Sequence, residues 1–91
     1  GTMHAVVVKV AIRDFDPARQ FLTEQVVPRV KEAPGFVTGY WTRGDDDSGL
    51  SMIVFESQEN ARNVAEMIES QGMDEAVDLQ GVEVREVVAN A

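Results

Sequence analysis

No cysteine occurs in the 91 residues, which removes disulfide staples, thiolate nucleophiles, iron–sulfur ligation and cysteine-bound zinc from consideration. Such a composition suits a reducing compartment, and a cytoplasmic location is the expectation. Histidine is nearly as scarce. His4 stands alone, so paired metal-binding histidines are absent, and one side chain at most titrates near neutrality without help from its surroundings. No apolar run approaches the roughly 20 residues of a membrane helix, and the first residues lack the basic and then hydrophobic pattern of a signal peptide. No phosphate-cradling glycine loop, serine elbow or metal-histidine motif is present, and neither a metal nor a cofactor is expected.

Positive charge is also thin. Eight Lys and Arg face sixteen Asp and Glu, for a net charge of −8. The imbalance is lopsided: residues 1–44 carry +2 and residues 45–91 carry −10. Nucleic acids and anionic membranes select cationic surfaces that displace counterions from phosphate, so both are excluded as partners. A solvated acidic surface that keeps a small protein in solution is the simpler reading. Gly1 and Thr2, ahead of Met3, read as remnants of an expression tag, and residues 3–91 are expected to form one domain. That length is near the lower limit for a self-sufficient core, so a partner chain would help.

What is present is a clear alternation of elements. Residues 4–12, HAVVVKVAI, predict a β-strand with His4, Val6, Val8, Val10 and Ile12 on one face and Ala5, Val7, Lys9 and Ala11 on the other. DFDP signals a helix start with Asp16 as N-cap, Pro17 at the first helical position and Phe15 packing at its start. Ala18, Phe21, Leu22, Val26, Val30 and Ala33 then form one apolar stripe, and Pro28 is expected to kink the final turns. Pro34-Gly35 ends the helix, and residues 36–43 predict a second strand. Residues 44–49, GDDDSG, predict a polar hairpin loop leading into a third strand at 50–56. Ser57 caps a second helix with Ala61, Val64, Ala65 and Ile68 on its apolar stripe, and Gly72 stops it. Residues 73–81 read as a connection, and 82–89 as the fourth strand.

The order βαββαβ predicts an α+β, ferredoxin-like fold with an antiparallel sheet and both helices on one face. The other face then has no cover, although Val7 and either Tyr40 with Phe36 or Trp41 with Val37 must lie on it. An apolar patch of that kind normally marks an interface, and a homodimer through the sheet face is the expectation.

The strand HAVVVKV, the segment PGFVTGYW and the passage GLSMIVFES leading into QENARNVAEMI resemble the dimeric α+β barrel superfamily. That group includes antibiotic biosynthesis monooxygenases and small uncharacterised actinobacterial members. The resemblance spans the chain from Met3 and implies a dimeric α+β barrel. Haem-degrading members use an early Asn and a late iron-ligating His, and neither is present here. Cyclase-like members use a first-strand His, which His4 matches, together with a second His that this chain lacks. Fold likeness alone assigns no reaction.

Among individual residues, Tyr40 and Trp41 are adjacent and so must point to opposite faces of their strand. Packing explains either one. The functional reading places the helix-facing member in an apolar cavity. His4 and Tyr40 are the candidate catalytic groups for deprotonating a phenol or enol, and Trp41 and Arg43 the candidate ligand-binding groups. Lys9 and Arg85 are further cations for a ligand carboxylate or enolate, although surface ion pairing suits them equally. Met52, Met67 and Met73 read as core filler, and Asp45 to Asp47 as a solvated loop tip. Three readings stand: a small protein that binds an apolar or aromatic ligand or acts through dimerisation alone; a cofactor-independent monooxygenase or isomerase; and haem binding and degradation, which the missing late histidine disfavours.

Overall fold

The computed structural model describes residues 2–72 and 74–91. Four strands, β1 (His4–Ile12), β2 (Phe36–Arg43), β3 (Ser48–Phe55) and β4 (Val77–Glu86), form one sheet in the order β2-β3-β1-β4. All neighbouring strands are antiparallel. The first helical stretch comprises α1 (Phe15–Phe21), a π-helical turn (Leu22–Val26) and α2 (Val27–Lys31), and the second is α3 (Gln58–Gln71). This is the ferredoxin-like βαββαβ arrangement. The valine-rich β1 lies in the middle, where β-branched side chains pack well on a pleated surface.

The phase of the sheet follows from the register. Val6 lies opposite Ile53 and Val84, and Val8 opposite Ser51 and Val82. These residues and Phe55 face the helices, where Val30, Ala61, Val64 and Ala65 complete the core. Phe55 is fully buried, and Phe36 meets it edge to face with ring centroids 6.2 Å apart, a favourable aromatic geometry. The alanines of α3 let that helix lie close to the sheet. The first helix sits differently: neither α1 nor the π turn buries a residue, and only Val30 of α2 is in the core.

Several expectations shift at their edges. The first helix begins at Phe15 with Asp14, not Asp16, at the N-cap position. A proline is tolerated anywhere in a first turn, whose amides have no intrahelical partner, so Pro17 marks the turn but not its first residue. Pro28 neither breaks the helix nor acts alone: the π turn immediately precedes it, with the Val27 amide donating to the Leu22 carbonyl five residues back. The wider π spacing accommodates a residue that has no amide to offer. β3 starts at Ser48, two residues ahead of expectation, because Ser48 and Gly49 already pair with Ala11 and Val10.

The largest correction concerns β4, expected at 82–89 and found at Val77–Glu86. Lys9 pairs with Gly81 and Val10 with Leu79, so Gln80 is an extra residue in the ladder. This bulge switches the inward positions from Val77 and Leu79 to Val82 and Val84, hiding the strand from any strict alternation.

The α3 expectations hold. The Asn60 amide donates to Ser57 Oγ at 3.1 Å, and Gly72 ends the helix at φ 74°. Gly35, at φ 79°, needs glycine on two grounds: its backbone is left-handed, and a Cβ there would run into the Asn60 side chain.

In the β2–β3 hairpin the Gly44 amide donates to the Ser48 carbonyl at 2.8 Å. The Asp46 carboxylate accepts from the Ser48 hydroxyl at 2.6 Å and its amide at 3.1 Å. These two bonds favour the charged form and hold the Asp46 carboxyl below its ordinary value. A lowered folded-state pKa means that the contribution to the hairpin is complete above the ordinary carboxylate value and is lost as pH falls through the lowered one. NMR titration should therefore give Asp46 a midpoint below the ordinary aspartate value, and a midpoint at that ordinary value would contradict the Ser48 contacts.

Candidate functional site

Because the first helix stands off the sheet, a cavity of about 580 Å³ remains between the two layers. Its floor is Val8, Val10, Ser51, Ile53 and Trp41, and its roof includes Ala18, Leu22 and Val26. Val64, Met67 and Ile68 of α3 form one wall, with Ile12, Phe15 and Val77 at the end nearest the hairpin. A volume of this size lies within the roughly 300–1,000 Å³ of small-molecule sites, and a mainly apolar lining with few polar groups is typical of them. Ser51 is the one buried polar side chain among the described residues. It occupies an inward position of β3, between Ile53 and Gly49.

Two glycines shape the floor. The Trp41 indole folds back across Gly39, where a Cβ would lie 3.0 Å from ring atoms Cη2 and Cζ3. Gly39 therefore permits the close approach of the ring to its own strand. At Gly49 a Cβ would meet Val10 Cγ2 at 2.5 Å. Both positions exclude larger residues and leave the space above the floor open.

Strand alternation separates the adjacent aromatics. Trp41, opposite Ser51, faces the helices and lines the cavity, while Tyr40, opposite Met52, projects from the uncovered face and is 69% exposed. Tyr40 borders the cavity only as part of the β2 strand, with its ring on the far side. Arg43 is on the Trp41 side, at the hairpin end. Its guanidinium carbon lies 3.8 Å from the Phe15 ring centroid, and its Nη2 donates to Asp47 Oδ1 at 2.8 Å. The ion pair and the cation–π contact together fix Arg43 over Phe15 at the cavity end.

His4 is elsewhere. It begins β1, four residues before Val8, about 13 Å of extended chain, and is not among the cavity-lining residues. Its Nδ1 donates to the Thr2 carbonyl at 3.1 Å. The structure thus brings Trp41 and Arg43 to the cavity and leaves the His4 and Tyr40 side chains outside it. Lys9 and Arg85 belong to the uncovered face, where Arg85 bonds Glu83 at 3.0 Å.

Met67 lines the cavity, but Met52 corrects the core-filler expectation: it projects from the uncovered face and is 48% exposed. The same alternation that buries Ile53 turns its neighbour outward. Met73 lies outside the described residues. Asp46 and Asp47 of the loop tip are engaged by Ser48 and Arg43, and among the described residues no group of three or more acidic or histidine side chains is placed to hold a metal ion. No helix among them is long and apolar enough to cross a membrane.

Sequence reasoning did not find Ser51, Phe15, Arg19 or Arg29 as cavity residues. Ser51 was within reach, because counting back from Phe55 and Ile53 places it inward. The two arginines were not, since nothing in a helical stripe reveals that the helix stands clear of its sheet.

No protein-family model matches the chain, and no curated protein does. Among solved structures, the crystal structure of NE2512, a protein of unknown function from Nitrosomonas europaea, has a TM-score of 0.61 with 10% identity. The match covers 99% of this chain and 93% of that one. At that identity the likeness shows the fold alone. Fold and comparison together define a small α+β protein with a four-stranded antiparallel sheet.

Proposed function

We propose that the protein is a homodimer of the dimeric α+β barrel type that binds a small apolar or aromatic molecule between its helices and its sheet. The observation that carries this reading is the cavity of about 580 Å³ with its apolar lining. A chain this short would gain stability by filling that space with larger side chains, yet Gly39, Gly49 and the raised first helix leave it empty of protein. Trp41 supplies a flat apolar wall for an aromatic ligand, and Ser51 a single polar point for orienting it.

Dimerisation is supported by the uncovered sheet face. Val37, Tyr40, Leu50 and Met52 are exposed there, with Tyr40 opposite Met52 and Leu50 opposite Thr42 in adjacent strands. A contiguous apolar patch is normally covered by a partner, and a second copy on a two-fold axis would bury it against itself. The cysteine-free composition supports a cytoplasmic setting. The oxygenase or isomerase alternative draws no support from the lining, because the His4 imidazole and the Tyr40 hydroxyl do not converge on the cavity.

The test is titration with N-phenyl-1-naphthylamine, an uncharged aromatic probe that accepts energy from tryptophan. Trp41 is the sole tryptophan, so binding in the cavity quenches all indole emission. Quenching should saturate at one probe per chain. Ala18→Phe, which fills the roof, should weaken binding about tenfold or more, equivalent to ~1.4 kcal/mol. Absence of saturable quenching, or binding unaffected by Ala18→Phe in a folded variant, would remove the proposal.

A further inference from the structure

We infer that the natural occupant is an organic anion, with its aromatic or alkyl body in the cavity and its acidic head at the Phe15 end. This rests on the cavity-binding reading and specifies its ligand class. The inference comes from how charge is distributed. In a chain with twice as many acids as bases, the charged residues bordering the cavity are Arg19, Arg29, Arg43 and Asp74. Half of the six arginines are thus gathered around one apolar site, against one of sixteen acids. Asp74 is turned to its own loop, where its carboxylate accepts from the Ala76 amide at 3.2 Å.

Two of the arginines belong to the Phe15 end. Arg43 stacks over Phe15 at 3.8 Å, and Arg19 is one helical turn beyond Phe15, on the same side of α1. Both guanidinium-bearing residues are exposed, whereas the floor behind them is apolar, so the site is graded from an arginine-bordered mouth to an apolar interior. The Arg43 Nε and Nη2 both donate to one Asp47 oxygen, which orients the guanidinium without filling the cavity. Among the described residues Arg19 has no carboxylate within ion-pair distance. A planar guanidinium suits a carboxylate or sulfonate through paired hydrogen bonds. Arg29, ten residues along the helix and about 15 Å away, belongs to the opposite end. The overall charge of −8 repels anions from the rest of the surface, so a preference for an anion must arise locally.

A matched pair of probes tests this. 8-Anilino-1-naphthalenesulfonate is N-phenyl-1-naphthylamine with one sulfonate added. The sulfonate should bind about tenfold more tightly, through the same Ala18→Phe-sensitive site, and its advantage should shrink as salt is raised. Arg19→Gln and Arg43→Gln together should abolish the sulfonate's advantage over the neutral probe measured on the same variant, while Arg29→Gln should preserve it. Arg19→Gln alone, which leaves the hairpin ion pair intact, should remove part of it. Equal affinities for the two probes, or an advantage that survives the double substitution, would overturn the anion assignment while leaving the cavity reading in place. Failure of both probes to bind would overturn both.

Discussion

Phe55→Ala should remove about 3–5 kcal/mol of stability, the usual cost of deleting a fully buried phenylalanine. Against the roughly 5–15 kcal/mol that holds a small domain together, that loss leaves the protein close to unfolding at room temperature. The reason is positional. Phe55 is fully buried, packs edge to face on Phe36, and shares the core with Ile53 and the alanines of α3. Phe21→Ala supplies the contrast. Phe21 is 37% exposed on a helix that buries nothing in its first turns, and its loss should cost under about 1 kcal/mol. Denaturant melts at one fixed protein concentration measure both, since the stability of the proposed dimer would depend on concentration. Comparable losses at the two positions would mean that the first helix is packed as tightly as α3 and that the cavity beneath it is closed.

The second large effect concerns assembly. Leu50→Asp with Met52→Asp should turn the proposed dimer into a folded monomer. Each residue is 48% exposed in the single chain, so the substitutions cost the monomer little. In a two-fold interface they would place four carboxylates where apolar side chains meet, and burying unpaired charge is costly enough to weaken association by about a hundredfold or more. Sedimentation velocity at micromolar concentration, with circular dichroism as the control for folding, reads the outcome. A parent protein that already sediments as a monomer, or a variant that remains dimeric, would rule out this face as the interface.

The parts of the fold that were legible in the sequence are those governed by short-range rules. β1 could be read from its β-branched run, α3 from its serine cap and glycine stop, and the layer order from the succession of elements. The first half of β4 could not be read, because a bulge at Gln80 moves its inward positions from odd to even numbers. The π turn escaped for a related reason: a proline announces a missing amide, but the register change that accommodates it leaves no residue signature.

The candidate site was legible in a more restricted way. Adjacency alone required Tyr40 and Trp41 to face opposite layers, and Gly39 suggested a close approach. Which ring faced inward depended on pairing with β3, a long-range property. His4 stood out as the lone histidine, but composition says nothing about distance from a cavity created by a helix standing off its sheet. Arg43 was visible as a charge, whereas its stacking on Phe15 depends on bringing the end of β2 beside the start of α1.

The measurement that tests cavity binding most directly is a crystal structure of the protein soaked with 1-bromonaphthalene, with the bromine located from its anomalous scattering. A bromine peak between α1 and the sheet, with the naphthyl ring against Trp41 and near Ser51, is the predicted result. Bromine only on the Tyr40 face, or a first helix collapsed onto Val10 and Ile53 with no space beneath it, would contradict it.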